Sequence, residues 1–165
     1  MPIVDSMLME MEQEAHATRK LLERVPQDKL SWKPHAKSFS LGQLAMHVAR
    51  IPGGVSGMAA QDVYEMPQFQ QPEATSRAEM LETFEQGLTT AKEILSQMDD
   101  QKLMAPWTLR KDGRELMTVP RVGFLRTVLL NHYYHHRGQL SVYLRLLDVP
   151  IPSIYGPSAD ENPFA

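Results

Sequence analysis

The chain has no cysteine among its 165 residues, which excludes a disulfide framework and any thiolate nucleophile or ligand of its own. It also has no run of Lys or Arg, and its formal net charge is -3. That balance gives no electrostatic footprint for nucleic acid. No apolar stretch approaches the roughly 20 residues that a membrane helix needs. The start, MPIVDSMLMEMEQE, has no basic region and soon turns acidic, so it does not read as a signal peptide. No nucleic acid and no membrane are expected as partners, and the cytoplasm is the default location. What is present is ordinary globular composition, 42% hydrophobic and 22% charged, in a length that suits one domain with one sizeable core. Eleven methionines are scattered along the chain and read as core filler.

Apolar periodicity predicts four long helices. In the first, over about 5–25, Leu8, Met11, Ala15, Thr18, Leu22 and Val25 form the buried stripe. Glu10, Glu12, Glu14, Arg19, Lys20 and Glu23 fall largely on the solvated side, and Pro26 ends the helix. Ser40 with Gln43 makes a capping box for the second helix, with Phe39 and Leu44 placed as its hydrophobic staple. Leu41, Leu44, Val48 and Ile51 continue its buried face. The following I51-P-G-G-V55 demands either a kink or a break and restart toward Tyr64. MPQFQQPEAT, at 66–75, reads as a loop. Ser76 with Glu79 reads as a second capping box, ahead of a third helix marked by Met80, Phe84, Leu88, Ala91 and Leu95.

The segments PQDKLSW and DDQKLMAPW each place a Leu and a Trp after a polar turn between helices, an echo that suggests two similar halves. Asp112 and Gly113 are a strong two-residue hairpin turn, so a small ribbon or ordered loop precedes the fourth helix. That helix opens at Pro120 and reaches about Leu147. A Pro- and Ser-rich tail, about 149–165, is expected to lie extended, with Ile151, Ile154 and Tyr155 pinning it. The fold class is therefore all-α, a four-helix bundle in a single domain, 1–165.

The fourth helix carries an unusual cluster, L130-N-H-Y-Y-H-H-R-G-Q139, with three of the six histidines. His132 and His136 lie one turn apart on a face that also carries Leu125, Leu129, Gln139 and Tyr143. A buried imidazole needs partners, and one divalent ion satisfies two at this spacing. The third ligand must come from another helix, and His47, near the buried edge of the second, is the best candidate. His16 lacks a spaced partner, His35 sits in a Lys-flanked linker, and His135 faces about 100° away from His136. Glu12, Gln43 and Gln139 are candidates to support the ligands. Arg137 and Arg50 are placed to attract an anion only if they turn to the mouth of the site, and Tyr143 is the tyrosine placed to touch a ligand. Gly138 reads as a close helix contact. The competing reading is a seam of histidines satisfied by hydrogen bonds alone. The chain has no H-E-x-x-H, which removes the metalloprotease general base.

At these residues the sequence resembles the DinB-like (DinB/YfiT) superfamily of bacterial four-helix bundles. The resemblance rests on W32-K-P followed by S40-L-G-Q-L-A-M-H47, on H132-Y-Y-H-H136-R-G-Q139, and on Y155-G-P-S-A-D. It implies an up-down-down-up arrangement with a long second connection. It implies a divalent metal, most often nickel or zinc, on His47, His132 and His136, and a homodimer. Among such proteins are metal-dependent thiol transferases, so the resemblance implies a thiol S-transferase acting on small electrophiles, with a low-molecular-weight thiol as cosubstrate and Arg137, Gln139 and Tyr143 near the bound molecule. A metal-dependent hydrolase and a non-catalytic metal-binding bundle are the alternatives.

Overall fold

The computed structural model describes residues 1–68 and 70–165. Four long helical elements carry the core: α1 (Ile3–Glu23), α2 (Leu41–Ala60), α3 (Arg77–Leu95) and a final rod. The rod begins as α5 (Arg121–Phe124), passes through a π-helical stretch, Leu125–Asn131, and ends as α6 (His132–Leu146). A short helix, α4 (Asp100–Met104), and a hairpin of β2 (Pro106–Lys111) and β3 (Arg114–Pro120) join α3 to the rod.

Polar contacts at the two ends fix the directions. The crossover after α2 returns to where α2 began, since Gln71 donates to the Gln43 carbonyl and Ser40 to Glu73. The α3 start then meets the end of α1, where Arg77 donates to the Glu23 carbonyl. Asp100, beyond α3, accepts from the Ile3 N–H at the start of α1. Arg121, opening the rod, donates to the Ala59 carbonyl at the far end of α2. The path is up, down, down, up, with residues 61–76 as the long second connection. The expected loop at 66–75 includes Phe69, which lies outside the described residues.

Local chemistry explains most element ends. Ser40 Oγ accepts from the Gln43 N–H at 3.1 Å, and the Gln43 amide returns to the Ser40 N–H at 2.9 Å, a complete capping box. At α3 only half of the expected box forms. Ser76 accepts from the Glu79 N–H, but the Glu79 carboxylate turns to the N–H and hydroxyl of Thr75. Two donors on one residue out-compete the single cap N–H. Asp112 and Gly113 both have positive φ, 51° and 74°, as a tight hairpin turn with right-handed strand twist requires.

The sequence pattern missed β1 (Val63–Glu65), which pairs in parallel with β2 and makes the hairpin a three-stranded sheet. Arg121 ties this sheet to the bundle. It is fully buried and also donates to the carbonyls of Lys102 and Gln61 and to the Asp62 carboxylate.

Three packing expectations change. In α1 the buried stripe widens to take in Val4, Met7, Glu14 and Leu21, while Leu8 is only half buried, because α1 packs against both α3 and the rod. Met7, Met11, Met46, Met80 and Met98 fill the core, yet Met9, Met104 and Met117 reach solvent. The close glycine contact is not at Gly138, where an added Cβ would meet nothing. It lies between Gly53 and Gly87. A Cβ on Gly53 would sit 2.9 Å from the Gly87 Cα. The two glycines thus let α2 and α3 touch backbone to backbone, and α2 runs unbroken through Pro52 to Ala60.

The tryptophans of the two echoing segments differ in depth. Trp107 is fully buried, stacked on Phe124 with centroids 3.7 Å apart, and its indole N–H donates to the Met58 carbonyl. Trp32 is half exposed and meets the edge of Tyr143. The tail is pinned as expected at Ile151, which is buried, and at Tyr155 through its hydroxyl.

The glycine contact generates a paired prediction. Gly53→Ala is expected to lower unfolding free energy by about 1–3 kcal/mol, the usual cost of overpacking against a fixed neighbour. Gly54→Ala, one residue on and with open space at its Cβ, is expected to raise it by about 0.5–1 kcal/mol through helix propensity. Denaturant unfolding of the two variants reads both signs.

Candidate metal centre

Three imidazoles from two helices meet at the inner edge of the bundle. His47 comes from the second turn of α2, and His132 and His136 from the first turns of α6. Their rings stand nearly perpendicular, at 85°, 88° and 87°, so edges meet rather than faces. The Nε2 atom of His132 lies 3.3 Å from Nε2 of His47 and 2.9 Å from Nε2 of His136. All three ligand atoms lie within 4.8 Å of one another.

The opposite ring edges are held by neutral groups. Nδ1 of His136 faces the side-chain oxygen of Gln139 at 2.7 Å. Gln71, from the crossover, stands beside His47 and favours a proton on its ring. His132 follows the π-helical stretch, and its own N–H bonds back five residues to the Thr127 carbonyl. The Val128 carbonyl, four residues before it, then faces the ring and favours a proton on it. That contact is too loose for a full hydrogen bond, and Nδ1 of His132 is buried without a well-formed partner. The Gln139 oxygen on the Nδ1 edge of His136 favours a proton there and leaves its Nε2 lone pair facing Nε2 of His132.

This donor set suits a divalent ion. Two ligand nitrogens each about 2.1 Å from one ion stand about 3.0–3.4 Å apart for octahedral to tetrahedral angles; the 3.3 Å pair falls inside that range and the 2.9 Å pair just short of it. Without a shared ion or protons between them, three facing lone pairs at such distances repel. Among the described residues no carboxylate joins the group, so the ligands are all neutral.

Of the residues picked from sequence, the structure brings His47, His132 and His136 together, with Gln139 against them. Tyr143 is half buried further along the same helix, with its hydroxyl donating to the Phe39 carbonyl, and Phe39 in turn lies 6.1 Å from the His47 ring. Arg137 goes elsewhere: it is 2% exposed and paired with Glu14 on α1 at 2.6 Å. Glu14 is therefore buried, against the solvated side expected for it, because a buried guanidinium needs its carboxylate. Arg50 is exposed, three residues after His47. His135 is exposed beside His136. His16, His35 and Glu12 are exposed and stand outside the cluster. Gln71 was missed, since nothing in a polar crossover marks one glutamine as the partner of a histidine 24 positions earlier.

Burial holds the imidazoles in the neutral state. His47 is pushed down to about 4, first by desolvation and then by the charges of His136 and His132. His132 and His136 move in the same direction, again with desolvation as the largest cause. In the metal-free protein the unfolded chain therefore takes up protons that the folded chain refuses. The stability these groups contribute is fully present above the unfolded histidine value of about 6.5, and it falls as pH drops from there toward the folded values. Thermal unfolding of metal-free protein is expected to show this decline between about pH 6.5 and pH 4, and His47→Gln is expected to flatten it. Superimposable profiles would contradict the assignment.

Comparison with known proteins agrees with this architecture. The model of the DinB family matches residues 1–162. The uncharacterized protein YrdA of Bacillus subtilis (strain 168) is 29% identical over 160 residues, which cover 96% of this chain and 91% of that one. A DinB-like protein from Bacillus cereus ATCC 10987 superposes with a TM-score of 0.71 at 28% identity, covering 90% of this chain and 95% of its own. The DinB-like protein YjoA of Bacillus subtilis gives a TM-score of 0.68 at 20% identity, covering 88% and 95% respectively, and shares the fold. With a family match over nearly its full length and a bundle of the same build, the chain belongs to the DinB family.

Proposed function

We propose that the protein is a divalent-metal-dependent enzyme, with His47, His132 and His136 as the ligands, and that it transfers a low-molecular-weight thiol to small electrophiles. The observation that carries this reading is the set of three neutral, convergent imidazole nitrogens, half buried and without a fourth protein ligand among the described residues. A structural ion is normally enclosed by four protein ligands, whereas three leave room for a reactant. An ion bound there would supply Lewis acidity, lowering the pKa of a thiol or a water that reaches it.

The chain's own residues set what else can happen. Gln139 holds the Nδ1 proton of His136, and burial keeps the three imidazoles neutral, so their Nε2 lone pairs are available near neutral pH. Among the described residues no carboxylate stands in the cluster to act as general base, which suits a nucleophile acidic enough to lose its proton without one. A thiol meets that condition better than water. The chain has no cysteine, so the thiol arrives as cosubstrate. Nickel and zinc both accept imidazole nitrogen.

Metal-reconstituted protein is expected to retain about one divalent ion per chain on gel filtration, as a single three-ligand site implies. Elemental analysis of His132→Ala and His136→Ala is expected to show loss of the ion, and His47→Ala severe weakening. The activity is tested with a panel of small thiols and a generic electrophile such as 1-chloro-2,4-dinitrobenzene. Thiol-dependent turnover above background, absent in His132→Ala, is the expected result. Turnover of an activated ester without thiol would favour the hydrolase instead. Metal retention with neither activity would leave a metal-binding bundle.

A further inference from the structure

One buried polar cluster is not used by the metal site yet adjoins it in sequence. Arg137 follows His136 directly. Its guanidinium is 2% exposed, and Nη1 reaches Glu14 at both the carboxylate, 2.6 Å, and the main-chain carbonyl, 3.1 Å. The third member comes from the tail. The Tyr155 hydroxyl accepts from Nη2 of Arg137 and donates to the Glu14 carboxylate at 2.8 Å. The guanidinium also lies over the rings of Tyr133, Tyr134 and Tyr155, with centroids 5.8, 5.2 and 5.1 Å away.

An apolar pair would hold two helices together at less cost, because both charges here have been taken out of water. What an ion pair adds is direction. A planar guanidinium bonded on two sides admits one orientation, whereas leucines tolerate rotation. That orientation matters on α6. Tyr133, Arg137, Leu140 and Leu144 face inward, and His132 and His136 sit on the flank that meets His47. The neighbouring contacts run the same way: Glu10, one turn before Glu14, accepts from the Tyr134 hydroxyl at 2.8 Å and from Arg126 at 2.6 Å. α1, which contributes no ligand, thus grips the rod from the side away from the histidines.

We infer that Arg137, locked by Glu14 and Tyr155, is a positioning residue that sets the rotation of α6 and so the convergence of His132 and His136 on His47. The C-terminal tail is thereby a working part of the metal site. The inference rests on the metal reading above, but its geometric half does not depend on the ion.

Two variants test it. Glu14→Leu with Arg137→Met replaces the pair with apolar groups. Tyr155→Phe removes one hydroxyl from a ring that is 74% exposed, a change small enough to leave the fold intact should the double variant fail to fold. Zinc affinity is measured by competition with a chromogenic chelator, beside the thermal stability of the metal-free proteins. The double variant is expected to bind zinc at least about tenfold more weakly, in the range seen when supporting contacts of metal ligands are lost, with metal-free stability close to that of the native protein. Tyr155→Phe is expected to show the same effect in smaller measure. In parallel, NOEs between the His47 and His132 ring protons in metal-free protein read the convergence directly, and they are expected to weaken in both variants. Native zinc affinity and native NOEs in Tyr155→Phe and in whichever double variant folds would overturn the inference. A native protein that binds no zinc would refute the metal reading instead, with the NOEs still deciding the positioning role.

Discussion

The last helical rod must satisfy two partners at once, and its rotation about its own axis decides whether it can. Leu125, Leu129, Leu130, Leu140 and Leu144 have to enter the core, while His132 and His136 have to meet His47 on α2. A uniform α-helix fixes the angle between those two sets by the residue count alone. The π-helical stretch Leu125–Asn131 changes that angle just ahead of the first histidine, because its wider turn rotates everything after it relative to everything before. It also returns the His132 N–H to Thr127 and leaves the Val128 carbonyl to face the ring. One local departure from regular helix thus aims two ligands and biases the tautomer of one.

The rest of the centre follows from neutrality. Its outer contacts are amides and a main-chain carbonyl rather than carboxylates, and burial disfavours the imidazolium forms. Several acidic residues are spent elsewhere. Glu10 and Glu14 grip the rod from behind, Glu73 bonds Ser40 at the start of α2, and Asp160 and Glu161 fasten the tail to Arg145, Lys20 and Arg24. A cation at the histidines would therefore keep most of its charge for whatever enters from solvent.

Much of this was legible from periodicity. The helix count, the hairpin at Asp112 and Gly113, the Ser40 capping box and the His132–His136 pair each depend on local spacing, which a sequence displays directly; His47, 85 positions before His132, was legible only as a histidine on another helix's buried edge. The misses share the opposite property. β1 has three residues and a partner more than 40 positions away, so no local pattern distinguishes it from loop. Glu14 and Arg137 each look like surface charges until they are seen together across 123 positions. Gln71 acts through the crossover's path over α2. The π-helical stretch has no composition of its own, since Leu, Arg, Thr, Val and Asn all sit comfortably in an α-helix. Pro52 left a kink or a break open, and α2 does not break: a helix buried against α3 over the Gly53 and Gly87 contact has more to lose from breaking than from one missing hydrogen bond.

That contact also restricts how the sequence can drift. Gly53 and Gly87 lie in different helices, yet each occupies space the other needs, so neither position can acquire a side chain by a single independent step. Nor does a compensating change at the partner position exist, since glycine is already the smallest residue. Relief would have to come from pushing α2 off α3 along its length, and His47 stands less than two turns from the point of contact. A pair of residues with no chemistry of their own is thereby tied to the residues that have it.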